Sequence, residues 1–124
     1  MQYVTVSSNQ NNDVYDDGYL RIEHENHYVS CGGRYVSLSR KEFLIISRLA
    51  RNPDRVVTYE EIWQHAWGKK AAFNPKSLRV YVYRLRSHLA SSGISIESMV
   101  NVGYRLRISP RVRGNGIEQA TERL

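Results

Sequence analysis

Two short strings punctuate this chain more firmly than anything else in it. Ser39-x-x-Glu42 and Thr58-x-x-Glu61 each stand in front of an apolar run at helical spacing. In such a capping box the hydroxyl residue accepts from the N3 amide and the Glu reaches back to the cap amide, so each pair marks a helix start. Phe43, Ile46, Leu49 and Ala50 follow the first box, and Pro53 stops the run near Asn52. Ile62, Trp63, Ala66 and Trp67 follow the second, and Gly68 is a natural helix end. A third helix is predicted from Asn74 as cap and Pro75 in its first turn. Its Leu78, Val82, Leu85 and Leu89 step by four, three and four, and it ends in Ser91-Ser92-Gly93.

Strand patterns flank this helical block. Tyr19–Glu23 alternates bulky and polar residues, and His27–Cys31 and Arg34–Leu38 form two arms around the tight-turn pair Gly32-Gly33. After the third helix, Ile94–Val100 and Tyr104–Ile108 read as strands joined by Asn101-Val102-Gly103, where Asn and Gly are able to take positive φ. The expected fold is therefore α+β: an N-terminal antiparallel sheet, three helices and a C-terminal hairpin, which is a winged helix-turn-helix. Residues 1–18 read as a frayed lead-in, 19–108 as the domain, and 109–124 as a flexible basic tail.

A length of 124 residues with 41% hydrophobic residues suits one core. A single cysteine, Cys31, excludes a disulfide-stapled secreted fold and a Cys-rich zinc module. No apolar run reaches membrane-spanning length, and residues 1–12 lack the apolar stretch of a signal peptide. The expectation is a small, soluble, cytoplasmic domain with no membrane partner.

The net charge is +6, unevenly placed. From Ile62 to Ile96 the chain holds Lys69, Lys70, Lys76, Arg79, Arg84 and Arg86 and no Asp or Glu. A one-sign segment repels itself unless a polyanion meets it, although a solvated basic face is the plain alternative. On a helical wheel Lys76, Arg79, Tyr83 and Arg86 form a stripe opposite the Leu/Val face, with Arg84 on a flank. The major groove of duplex DNA, ~12 Å wide, admits one such helix. Arg can fork onto guanine there, while Lys76 and Ser77 at the helix start suit phosphates.

The strings LSRKEFLIISRLARNPDRVVTYEEIWQHAWG, SLRVYVYRLRSHL and VGYRL occur in this order between residues 38 and 106. They resemble the helices, recognition helix and wing end of the OmpR/PhoB-type effector domain of bacterial response regulators. The resemblance covers residues 19 to 108. It implies a four-stranded N-terminal sheet, a helical core and a hairpin wing. It also implies binding to tandem direct repeats in promoters as head-to-tail pairs, with contact to RNA polymerase. By position it makes Arg84 the base-reading arginine, with Arg79, Tyr83 and Arg86 facing the groove. It makes Lys76, Ser77, Thr58, Tyr59 and Trp67 backbone contacts, and Lys69, Lys70 and Phe73 part of a polymerase-contact loop, Gly68–Asn74.

The chain departs from that family's pattern in three places. Its wing stretch is Met99-Val100-Asn101-Val102-Gly103-Tyr104, so Val100 replaces an arginine and Asn101 a glycine. Arg105 and Arg107 remain as candidate wing cations. Arg79 stands where many relatives carry Asp. No receiver-domain pattern precedes the first strand, so the chain reads as a stand-alone regulator or an excised effector domain.

Other readings carry less. His24 and His27 with Glu23 and Glu25 could suggest a metal, but on an extended strand the two imidazoles face opposite ways. Cys31 has no catalytic partner pattern, Trp63 reads as core, and no phosphate-binding loop is present. The strand tyrosines Tyr19, Tyr28, Tyr35 and Tyr104 read as sheet packing, with stacking on single strands as a lesser alternative. No cofactor and no enzymatic activity are expected. The alternative to a sequence-specific DNA binder is an interaction module docking RNA polymerase or a separate receiver protein, with only non-specific DNA binding.

Overall fold

The structure, a computed structural model, describes residues 13–107. The chain begins with a four-stranded antiparallel meander: β1 (Val14–Asp16), β2 (Leu20–Glu23), β3 (Tyr28–Cys31) and β4 (Arg34–Tyr35). Leu20 and Ile22 pair with Cys31 and Val29, so period-two alternation buries these four on one face. Burial pushes the Cys31 thiol pKa up, which makes it an inert packing group. Gly32 and Gly33 both have positive φ, as a two-residue hairpin turn requires.

The sheet differs from the sequence expectation in two places. Residues 13–18 are not a frayed lead-in. Val14–Asp16 pairs with Arg21–Glu23, and the Asp17 carboxylate accepts from the amides of Tyr19 and Leu20. The second hairpin arm ends at Tyr35, because only the Val36 amide, bonded to the Val29 carbonyl, continues the pairing before the chain turns into the Ser39 cap. The expectations for residues 1–12 and 108–124 lie outside the described residues.

Three helices follow: α1 (Arg40–Ala50), α2 (Tyr59–Trp67) and α3 (Pro75–Leu89). Both capping boxes form, at Ser39/Glu42 and Thr58/Glu61, and the Asn74 side chain accepts from the Ser77 amide. Between α1 and α2 runs β5 (Val56–Thr58). After α3 and a short 3-10 turn come β6 (Ser95–Met99) and β7 (Gly103–Arg107). The second sheet has the order β5-β7-β6, with β7 central and antiparallel to both neighbours. Ile45, Ile46 and Leu49 of α1, Ile62 of α2, Leu78 and Leu85 of α3 and Leu106 of β7 form one core with the first sheet's inner face. None of the described helices is long and apolar enough to cross a membrane.

The two histidines of the first sheet serve packing. His27 sits in the β2–β3 turn with positive φ and stacks on Phe43 at 4.5 Å. His24 is buried, its Nδ1 2.6 Å from Ser47 Oγ. Burial holds the His24 pKa below its ordinary 6.5, Arg51 and His65 add to the effect, and Asp13 opposes it. The folded state therefore takes up fewer protons than the unfolded chain. Stability is full above the unfolded value of 6.5 and is lost as pH falls toward the folded-state value. His65 is shifted the same way, first by burial and then by Arg48 and Arg51. Urea unfolding followed from about pH 7.5 to about pH 5 should show this decline. His24→Gln, which keeps a hydrogen-bonding group beside Ser47, should remove part of it. An unchanged slope would clear His24 of any share.

Candidate nucleic-acid interface

The placement of α3 is settled at three points. Its Leu78, Val82, Leu85 and Leu89 stripe is buried in the core. Near its C-terminus His88 Nδ1 lies 2.8 Å from Oε1 of Glu42, a buried carboxylate that also accepts from the Ser39 amide. On its flank Arg86 donates from Nε and Nη2 to the Ile96 carbonyl at 2.9 and 2.6 Å, and from Nη2 to Ser98 Oγ at 3.0 Å. Its guanidinium also lies over the Tyr104 ring. Arg86 thus clamps α3 to β6, which corrects its assignment as a groove-facing residue. The sequence stripe puts it in line with Lys76, Arg79 and Tyr83, but the chain's own strand occupies that end of the stripe.

What α3 leaves exposed is Pro75, Lys76, Arg79, Val80, Tyr83, Arg84, Ser87 and His88, with Ser77 half-buried at the start. Tyr83 is 71% exposed. Lys76, Arg79 and Arg84 have no carboxylate partner among the described residues, and no acid lies on α3. Val80 is an exposed apolar residue that the helical wheel passes over, being neither charged nor part of the core stripe. Its place outside the four-three-four spacing is the signal that marks it.

An aromatic ladder supports Arg84. Trp63 and Trp67 stack at 4.1 Å, Trp67 meets Tyr81 edge-on at 5.5 Å, and the Arg84 guanidinium lies 5.1 Å from the Tyr81 ring centre. Lys41 lies over Trp67. The Trp63 indole N–H donates to the Ala71 carbonyl, whereas that of Trp67 has no acceptor among the described residues. Trp67 is therefore a half-buried packing residue with one open donor. Tyr81, absent from the sequence-derived site, emerges as the platform under Arg84.

Thr58 and Tyr59 carry structural duties. The Thr58 hydroxyl caps α2 by accepting from the Glu61 amide. The Tyr59 amide donates to the Val102 carbonyl at 3.1 Å, and its ring meets Tyr104 edge-on, so Tyr59 props the wing. In the Gly68–Asn74 loop Lys69 and Lys70 are exposed, while Phe73, also exposed, is held edge-on against Trp63.

The wing is the β6–β7 hairpin. The Val102 amide donates to the Met99 carbonyl, and Asn101 takes φ +67°, the conformation Asn tolerates. Gly103 does not have positive φ, contrary to the sequence expectation. Its missing side chain serves contact instead: a Cβ there would overlap the Val57 carbonyl of β5. Arg105 and Arg107 do not supply a free wing cation. The β6–β7 register sets Glu97 opposite Arg105, and Glu97 accepts from both arginines, a pairing that holds its own pKa below the ordinary carboxylate range. The tip is left neutral, with Val100 78% and Val102 50% exposed. Between α3 and the wing lies a hollow of about 240 Å³ whose lining includes Tyr59, Phe73, Leu78, Arg79, Asn101 and Tyr104.

Comparison with known proteins places this arrangement. The family described as "Transcriptional regulatory protein, C terminal" matches residues 33–106. The sensory transduction protein RegX3 of Mycobacterium leprae is 35% identical over 96 residues, 75% of this chain and 48% of that protein. The response regulator MprA of the same organism is 38% identical over 84 residues, 66% of this chain and 37% of that protein. The chain thus spans half or less of these relatives' length. Among solved structures, the DNA-binding domain of response regulator AdeR, in complex with an intercistronic region, superposes with a TM-score of 0.63 at 28% identity, covering 77% of this chain and 98% of that one. Response regulator DrrB of Thermotoga maritima, an OmpR/PhoB homolog, gives 0.65 at 26% identity, covering 82% and 49%. The order of strands, helices and terminal hairpin and these matches agree: the chain belongs to the family of C-terminal domains of transcriptional regulatory proteins, the OmpR/PhoB-type DNA-binding effector domains of response regulators.

Proposed function

We propose that this domain binds duplex DNA in a sequence-specific way, with α3 in the major groove and the wing at an adjacent groove. The observation that carries this is the outer face of α3. It presents Lys76, Arg79 and Arg84 without a neutralising acid, on a helix held by the core stripe, the Glu42–His88 contact and the Arg86 clamp. Arg84 reads a base edge, Tyr83 and Arg79 are the other groove-facing residues, and Lys76, Ser77 and the Trp67 indole meet phosphates. The AdeR complex with DNA supports the same docking here. Binding proceeds as head-to-tail pairs on tandem direct repeats in a promoter, in the cytoplasm. The exposed Lys69, Lys70 and Phe73 of the α2–α3 loop offer a surface to RNA polymerase, so changes there should abolish transcriptional output while leaving DNA affinity intact.

The test is selection of the purified protein against a random duplex pool at near-physiological salt. Enrichment of two direct half-sites about one helical turn apart, ~10–11 bp, is the expected result. Salt-sensitive retention of every duplex without enrichment would show a domain that reads charge alone, and the interaction-module reading would take its place.

A further inference from the structure

Arg79 and Arg84 cannot serve the same edge of DNA. Five residues at ~100° each set them about 140° apart around α3. Arg84 is stacked over Tyr81, on the side supported by α2. Arg79 lines the hollow between α3 and the wing, together with Asn101 of the wing turn. Arg79 has no hydrogen bond, ion pair or ring contact among the described residues, and it is exposed. Tyr59, Phe73, Leu78 and Tyr104 give the hollow largely apolar walls.

If α3 enters one groove and the wing reaches the next, the strand separating those grooves must cross between them. The hollow stands at that crossing. It offers what a sugar-phosphate unit needs: apolar surface for a deoxyribose ring, and a guanidinium with a side-chain amide for the phosphate. The wing tip itself offers no cation, since Val100, Asn101 and Val102 are neutral, and the two arginines on its strands, Arg105 and Arg107, share the Glu97 carboxylate. We propose that this hollow seats one deoxyribose-phosphate of the strand between the two grooves, with Arg79 as its phosphate ligand. Arg79 then contributes affinity independent of sequence and stands in for the charge the wing tip lacks. The proposal rests on the duplex-DNA reading above and refines one residue of it, from groove-facing residue to backbone ligand.

The test measures Kd across a salt series for wild type, Arg79→Gln and Arg79→Lys, each on the selected duplex and on a scrambled duplex. A phosphate ligand predicts that Arg79→Gln weakens both duplexes by a similar factor. It also predicts a log–log salt slope shallower by about 0.9, with Arg79→Lys keeping the wild-type slope. A scan of single methylphosphonates, which are neutral, should find one position that weakens the wild type and leaves Arg79→Gln unaffected. Loss of discrimination with an unchanged slope would make Arg79 a base reader and overturn the proposal. So would wild-type binding by Arg79→Gln on both duplexes. A wild-type protein that discriminates no duplex at all would instead remove the underlying DNA reading, and is seen before any variant is made. Thermal melting of each variant, expected unchanged for an exposed unpaired side chain, separates these outcomes from misfolding.

Discussion

Gly103→Ala is expected to destabilise the domain by about 3 kcal/mol or more, although it adds one methyl group at the edge of a hairpin. The reason is position and not backbone conformation. Gly103 pairs with Thr58 of β5 and with Met99 of β6, in the central strand of its sheet. An added Cβ would overlap the Val57 carbonyl oxygen and lie 2.8 Å from the Thr58 Cα. Backbone atoms cannot rotate aside as a side-chain end can, so β5 must move. Thr58 is also the α2 cap, and Tyr59 next to it props the wing turn, so the displacement reaches both parts of the DNA face. Urea unfolding should show a lower midpoint with an unchanged slope. Gly103→Asn makes the comparison sharper. Asn tolerates positive φ, so a conformational role would be rescued and a contact role would not. A loss below about 0.5 kcal/mol for Gly103→Ala would mean that β5 yields freely.

Arg84→Ala should reduce discrimination between the selected and a scrambled duplex by ~1–3 kcal/mol, the worth of a good bidentate base contact. The same change should leave most non-specific affinity in place. Arg84→Lys should lose most of that discrimination as well, because an ammonium keeps the charge and loses the planar fork. Tyr81→Ala, which removes the ring beneath the guanidinium, should move discrimination in the same direction as Arg84→Ala and by less. Lys76→Ala should weaken all duplexes alike. Equal losses on both duplexes for Arg84→Ala would assign Arg84 to the backbone.

Much of this arrangement was legible in the sequence, because its signals are local. Ser39/Glu42, Thr58/Glu61 and Asn74-Pro75 mark helix starts through bonds spanning three residues, and all three caps are present. The Leu78–Leu89 stripe names the buried face of α3 because helical period and burial are one geometry. What stayed hidden depends on register and on partners far along the chain. Val14–Asp16 holds one aliphatic residue between acids and becomes a strand only through its pairing with β2. Arg86 shares a wheel stripe with Arg79, yet its acceptor is a carbonyl ten residues on. Arg105 and Arg107 were free in any sequence-level view, because only the three-residue loop between β6 and β7 brings Glu97 opposite Arg105. Gly103 suggested a turn conformer, while the contact that demands it comes from Val57.

The Glu97 pairing has an evolutionary side. One carboxylate holds two guanidiniums and offsets one of their charges, so a single substitution at this position, to Gln or Lys, releases both arginines in one step. A lineage carrying this domain is one mutation away from a wing with two unpaired arginines. Substitution at Glu97 alters the charge of the wing without touching the exposed face of α3.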